Sequence, residues 1–144
     1  MKKTLVLLLI ICSLAAVKAQ NSIEGIWYNT TKSGKVEIYK KGEAYFGKII
    51  WLKEPIDEKT GKAKVDSNNP NEEKRNTPII GLLILKDFSK DGNNSYSGGT
   101  VYDPENGKTY KCKMTLVDAN NLDVRGYIGF PALGRTENWT RTTK

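Results

Sequence analysis

Asp103-Pro104-Glu105-Asn106-Gly107-Lys108-Thr109-Tyr110-Lys111-Cys112-Lys113-Met114-Thr115-Leu116-Val117 places a turn directly before a run of alternating residues. The first five residues are turn formers, and Asn-Gly tolerates the positive φ that a tight hairpin requires. In the run that follows, Tyr110, Cys112, Met114 and Leu116 fall on one side, and Lys111, Lys113 and Thr115 on the other. A period of two marks a half-buried strand, because successive side chains leave opposite faces of the pleat. A strand entered through a tight turn lies antiparallel to its predecessor, here residues 95–102.

The same grammar extends in both directions. Downstream, Ala119-Asn120-Asn121 turns the chain into a strand over 122–128, and Pro131-Ala132-Leu133-Gly134 leads to a last strand over 135–141. Upstream, Asp91-Gly92 precedes the 95–102 strand. Residues 79–88 are mostly apolar and read as a loop or helical turn followed by a strand near 82–87. Residues 43–52 and 35–40 form a pair across Lys41-Gly42, and 25–31 is the first strand. Residues 53–76 are polar and carry few side chains worth burying. They are expected to form a long flexible loop with one short hairpin at Thr60-Gly61.

Eight strands and no helix of ordinary length define an all-β class. Strands joined by tight turns form an antiparallel meander, and about eight of them close, or nearly close, into a lipocalin-like barrel without free edges. A sandwich is the alternative architecture.

The N-terminus has its own logic. Lys2 and Lys3 precede an apolar stretch over 5–17, and Val17-Lys18-Ala19 offers small residues for cleavage before Gln20. That arrangement is a secretory signal over 1–19, which leaves one domain over 20–144. The apolar stretch, about thirteen residues, is shorter than the ~20 that a spanning helix needs. The expected location is periplasmic or extracellular, with no membrane span after cleavage.

Losing Lys2, Lys3 and Lys18 leaves 20 basic residues against 16 acidic ones, a net charge of +4. The bases are interspersed with acids, so the balance reads as solubility and not as nucleic-acid binding. The chain contains no histidine. That removes Ser-His-Asp and Cys-His catalysis and the commonest transition-metal ligand. Cys112 remains alone after cleavage, so no intramolecular disulfide forms, and its alternation with Tyr110 and Met114 makes it a core thiol. Asp87-x-Ser89-x-Asp91-Gly92 begins like a calcium loop, but the twelfth position is Gly98 where a bidentate Glu is needed. No catalytic residue, metal site or cofactor is expected, and a hydrolase without histidine ranks last among the functional readings.

Longer motifs carry a resemblance. Gly98-Gly99-x-x-Tyr102-Asp103-Pro104-x-Asn106-Gly107-Lys108-x-Tyr110-x-Cys112-Lys113 is similar to the signature of the bacterial family called domain of unknown function 2147. So are Val124-Arg125-Gly126-Tyr127-Ile128-Gly129 and Leu133-Gly134-Arg135-Thr136-x-x-Trp139-x-Arg141, with Gly25-x-Trp27 and Pro78-Ile79-Ile80-Gly81-Leu82 further upstream. The resemblance spans the expected domain in order. It implies a small exported bacterial protein and brings no activity with it. Many members have a Cys-x-x-Cys pair before the Pro-Ile-Ile-Gly segment; here that loop has no cysteine.

A second resemblance is to the calycin barrels, which include lipocalins and fatty-acid-binding proteins. These pair an early Gly-x-Trp with a late Arg, as Gly25-Ile26-Trp27 and Arg141 do. The resemblance implies barrel closure by an Arg141 guanidinium stacked on the Trp27 indole, a contact of about 0.5–2 kcal/mol. Fatty-acid-binding barrels also hold a ligand carboxylate with an Arg and a Tyr two residues apart. By that analogy Arg125, Tyr127, Arg135, Trp139 and Arg141 are the candidate contacts for a small lipid-like or anionic molecule. Alternation argues against Arg125 and Tyr127, which face outward if Leu122, Val124 and Ile128 face the core. The expected function is an exported non-enzymatic barrel binding such a ligand. The alternative is a structural or protein-interaction module of the envelope with a fully packed core.

Overall fold

The alternating run forms the longest strand, Lys108–Asp118, with Cys112, Met114 and Leu116 buried and Lys111, Lys113 and Thr115 exposed. The computed structural model describes residues 22–144. The expected signal over 1–19 lies outside the described residues.

The strands are β1 (Gly25–Tyr28), β2 (Gly34–Lys41), β3 (Ala44–Leu52), β4 (Leu83–Lys90), β5 (Ser95–Asp103), β6 (Lys108–Asp118), β7 (Asn121–Tyr127) and β8 (Arg135–Thr142). Each pairs antiparallel with the next, and β1 also pairs with β8, so the sheet closes on itself. Closure excludes the sandwich. All eight strands lie within the described residues.

The inward side chains fill the barrel. Trp27, Ile38, Tyr45, Leu85, Phe88, Tyr96, Cys112, Met114, Leu116, Leu122, Val124 and Trp139 form one buried cluster. Cys112 is a free, buried thiol, and burial pushes its pKa up to about 12. Where the wall bends sharply, only glycine fits. A Cβ on Gly99 would meet the Lys86 carbonyl oxygen and the Phe88 ring 2.5 Å away, beside a register shift between β5 and β6.

The up-and-down order gives the barrel two unlike ends. One carries the tight turns β2–β3, β4–β5 and β6–β7 and the lead into β1. The other, the mouth, carries the connections 29–33, 53–82, 104–107 and 128–134.

Two expectations need correction. Residues 53–76 are tied down where a flexible loop was expected. Bridges form between Ile56 and Ala63 and between Val65 and Pro78. Asp66 is 0% exposed. Its Oδ1 accepts from the Tyr102 hydroxyl at 2.7 Å and its Oδ2 from Asn69 Nδ2 at 2.7 Å. Asn68 Nδ2 donates to the Pro104 and Glu105 carbonyls at 3.1 and 2.9 Å. The segment is held by hydrogen bonds more than by apolar burial, which hydropathy does not register. Ile128 is the second correction: β7 ends at Tyr127, Gly129 turns the chain at φ 78°, and Ile128 is exposed.

Candidate functional site

The inward face of β8 carries, in order, Arg135, Glu137, Trp139 and Arg141. Its partners on β7 are Gly126 opposite Arg135, Val124 opposite Glu137 and Leu122 opposite Trp139. This row runs the length of the barrel and changes character along it.

At the turn end Arg141 acts as a plug. Its guanidinium sits 4.3 Å from the centre of the Trp27 ring. Nε donates to the Ala119 carbonyl at 2.6 Å, and the two terminal nitrogens donate to Glu24 and Ser22 carbonyls at 2.8 and 2.7 Å. Trp27 Nε1 donates to the Ile23 carbonyl at 2.8 Å, which draws the chain ahead of β1 over the opening. Ile23 is a core residue that strand periodicity missed, because it precedes the first strand.

In the middle, Trp139 is buried and donates from Nε1 to Glu137 Oε2 at 3.1 Å. Deeper still, the Tyr96 hydroxyl is buried without a hydrogen-bond partner among the described residues. Its ring meets Tyr45 edge to face at 5.0 Å.

At the mouth the row opens. Arg135 is exposed and Glu137 half-buried, and beside them Gly126, Tyr110 and Val101 are also half-buried. A Cβ on Gly126 would make only ordinary contacts with Val101 and Tyr110, at 3.5 and 3.6 Å. A methyl would fit there without displacing a neighbour. Tyr110 is braced from the rim by Asn106 Nδ2, 3.0 Å from its hydroxyl.

The five expected ligand contacts therefore do not converge. Arg141 spends its donors on carbonyls, and Trp139 belongs to the core. Arg125 lies on the outer wall, opposite Lys113, with Nε donating to the Pro131 carbonyl at 2.7 Å and a terminal nitrogen to Thr136 Oγ1 at 2.7 Å. Tyr127 is half-buried opposite Lys111. Arg135 alone combines an inward position with exposure at the mouth. Glu137, Tyr110 and Gly126 join it there. Alternation along β6, β7 and β8, carried on toward the mouth, points to all three.

Two hollows mark the outer wall. One of about 350 Å3 is lined by Lys35, Glu37, Lys48, Ile50, Trp51 and Lys144. Glu37 there is flanked by the Lys48 and Lys144 ammonium groups at 3.7 and 3.6 Å. The other, about 280 Å3, surrounds Arg125. In the turn over 91–94, Asp91 accepts a hydrogen bond from Ser97, and the described residues hold no cluster of three or more potential metal ligands. No described helix is long and apolar enough to cross a membrane.

The sequence pattern of a family described as "Uncharacterized protein conserved in bacteria (DUF2147)" matches residues 25–141. The chain belongs to this family. The DUF2147 motifs now have structural addresses. Gly98-Gly99 makes the bend over Phe88, and Asp103 to Gly107 makes the β5–β6 turn. In that turn Asp103 Oδ1 accepts from the Glu105 N–H at 2.9 Å, and its carbonyl from the Gly107 N–H at 2.8 Å. Trp27 and Arg141 make the plug.

No curated protein matches the chain. A solved structure described as protein HP1028 from the human pathogen Helicobacter pylori, belonging to the lipocalin family, superposes with a TM-score of 0.72. The two are 29% identical over 85% of this chain and 84% of that one. The DUF2147 barrel described here is thus similar to a lipocalin-family barrel.

Proposed function

We propose that this chain is an exported, non-enzymatic barrel that binds a small, partly apolar, anionic molecule at its mouth. One observation carries the reading: the inward row of β8 passes from the Arg141 plug to an exposed Arg135 at the other end. An accessible arginine at an inward register position, opposite Gly126, suits a carboxylate or phosphate, because its planar fork donates two parallel hydrogen bonds. The apolar part of the ligand would lie against Val101, Tyr110 and Gly126. The lipocalin-family likeness supports the same use of the barrel. Export is supported by the basic and apolar N-terminal pattern, and a non-enzymatic role by the absence of histidine from the sequence.

The test is native mass spectrometry of the protein purified without denaturation, together with titration of fatty acids and aryl carboxylates followed by tryptophan fluorescence. A bound anion, weakened by Arg135→Ala and unaffected by Arg125→Ala, supports the site. A bare mass with flat titrations overturns it. A mass beginning at Gln20 in protein recovered from the periplasm or medium supports export; a full-length mass counts against it.

The packed turn-end half favours a second reading, a structural or interaction module. It predicts the bare mass and flat titrations, with a protein partner recovered by crosslinking.

A further inference from the structure

The β7–β8 connection holds three large apolar side chains in water. Ile128 is 69% exposed, Phe130 71% and Leu133 76%. They are not on a slack loop. Pro131–Leu133 is a 3-10 turn, closed by the Gly134 N–H on the Pro131 carbonyl at 3.1 Å. Arg125 holds it from the wall, through the Pro131 carbonyl at 2.7 Å and the Ala132 carbonyl at 3.4 Å. Its ordering is already done. Three large apolar side chains exposed on one hydrogen-bonded turn mark a contact surface.

The charges around the tip are one-sided. Lys111 stands opposite Tyr127, Lys113 opposite Arg125, and Arg135 opposite Gly126. Residues 108–136 contain five bases and two acids. Among the described residues the ion pairs involve Lys48, Arg75 and Lys144, so none of these five bases is engaged in one.

We propose that this tip docks on an anionic lipid surface, with Ile128, Phe130 and Leu133 entering the headgroup region and the surrounding bases meeting lipid phosphates. An apolar cluster with a basic collar is the composition of an interfacial anchor. A protein partner is disfavoured by size. Three side chains on one turn cover little of the ~800 Å2 per side that a stable protein interface occupies, whereas a headgroup layer needs no matching shape. The tip rims the mouth, so docking would turn the mouth toward the bilayer. The proposal does not depend on the barrel holding a ligand.

The test is sedimentation of the chain from Gln20 onward with vesicles, since the apolar stretch over 5–17 would itself bind lipid. Phosphatidylglycerol–phosphatidylethanolamine vesicles should bind it, phosphatidylcholine vesicles should not, and added salt should weaken binding. Phe130→Ser with Leu133→Ser should lower partitioning by about tenfold or more, with the melting temperature unchanged because both side chains are exposed. Lys111→Gln with Lys113→Gln should reduce anionic vesicles to the neutral level. Absent binding, or binding that survives both double variants, overturns the proposal. So does lipid-free self-association abolished by Phe130→Ser, which would make the tip a contact between copies.

Discussion

Arg141 lies over the Trp27 ring with a carbonyl oxygen within 2.8 Å of each of its three guanidinium nitrogens. The contacts join the lead into β1, the turn between β6 and β7, and β8 itself. No other residue type presents a flat apolar face and donors fanned around its edge.

Arg141→Ala should therefore lower unfolding free energy by about 2–4 kcal/mol, since it removes the stack and strands several carbonyls. Arg141→Lys should recover only part, because one ammonium cannot reach three separated oxygens. Urea denaturation measures both; equal stability of the alanine variant and the parent would show that the plug is ornamental.

The two halves of the β3–β4 connection should respond differently to change. Shortening the exposed tip over 57–62 should barely shift the melting temperature, because loop entropy varies slowly with length. Asp66→Ala should cost about 1–3 kcal/mol, as it leaves the Tyr102 hydroxyl and Asn69 amide without their shared acceptor. If Asp66→Ala proves as harmless as the shortened tip, the segment is not anchored there.

Alkali should loosen the barrel through two raised proton affinities. Burial raises the Cys112 thiol to about 12 from 9.0, and burial followed by Asp66 raises the Tyr102 phenol to about 12 from 10.0. Both folded-state values exceed the unfolded ones, so the folded chain holds these protons more tightly. The stability they contribute is whole below about pH 9 and drains away as pH climbs to about 12. Cys112→Ala should flatten the loss that begins near 9.0; an unchanged slope in denaturation across that range would contradict the thiol's part in it.

Two glycines should resist replacement for a steric reason. Gly99→Ala would drive a methyl into the Lys86 carbonyl and the Phe88 ring, and Gly107→Ala into the Asn68 carbonyl, at a φ of 72° that L residues avoid. Each should lower the melting temperature, whereas Gly61→Ala, with open space around it, should lose only what its positive φ costs. Calorimetry on the three variants separates collision from backbone strain.

Strand identity was legible because alternation reports burial directly. Tyr110, Cys112, Met114 and Leu116 announce β6, and the Asn-Gly turn announces its partner. The plug was readable only through the likeness to other barrels, since nothing in local pattern links Trp27 to a residue far along the chain. Asp66 was not readable. A buried carboxylate in a polar stretch looks like any exposed one until Tyr102 is seen beside it. Ile128 misled for the opposite reason: it continues the apolar alternation of Leu122 and Val124 past the end of β7, where the pleat no longer assigns it a side. Charge direction was legible where alternation held: Arg125 falls out of step with the inward Leu122 and Val124 and lies on the outer wall, beside Lys113 and Thr136.

The pairing of β1 with β8 also makes strand order cyclic. Ile26 lies opposite Thr142, so the start of the first strand and the end of the last meet at the same rim. A short peptide from Lys144 to Ser22 would join them without disturbing any ladder, and the backbone could be opened instead at the exposed tip over 57–62. Circular permutants cut there would keep every neighbour relation in the wall, so the architecture is a property of the ring of pairings and not of where synthesis happens to start.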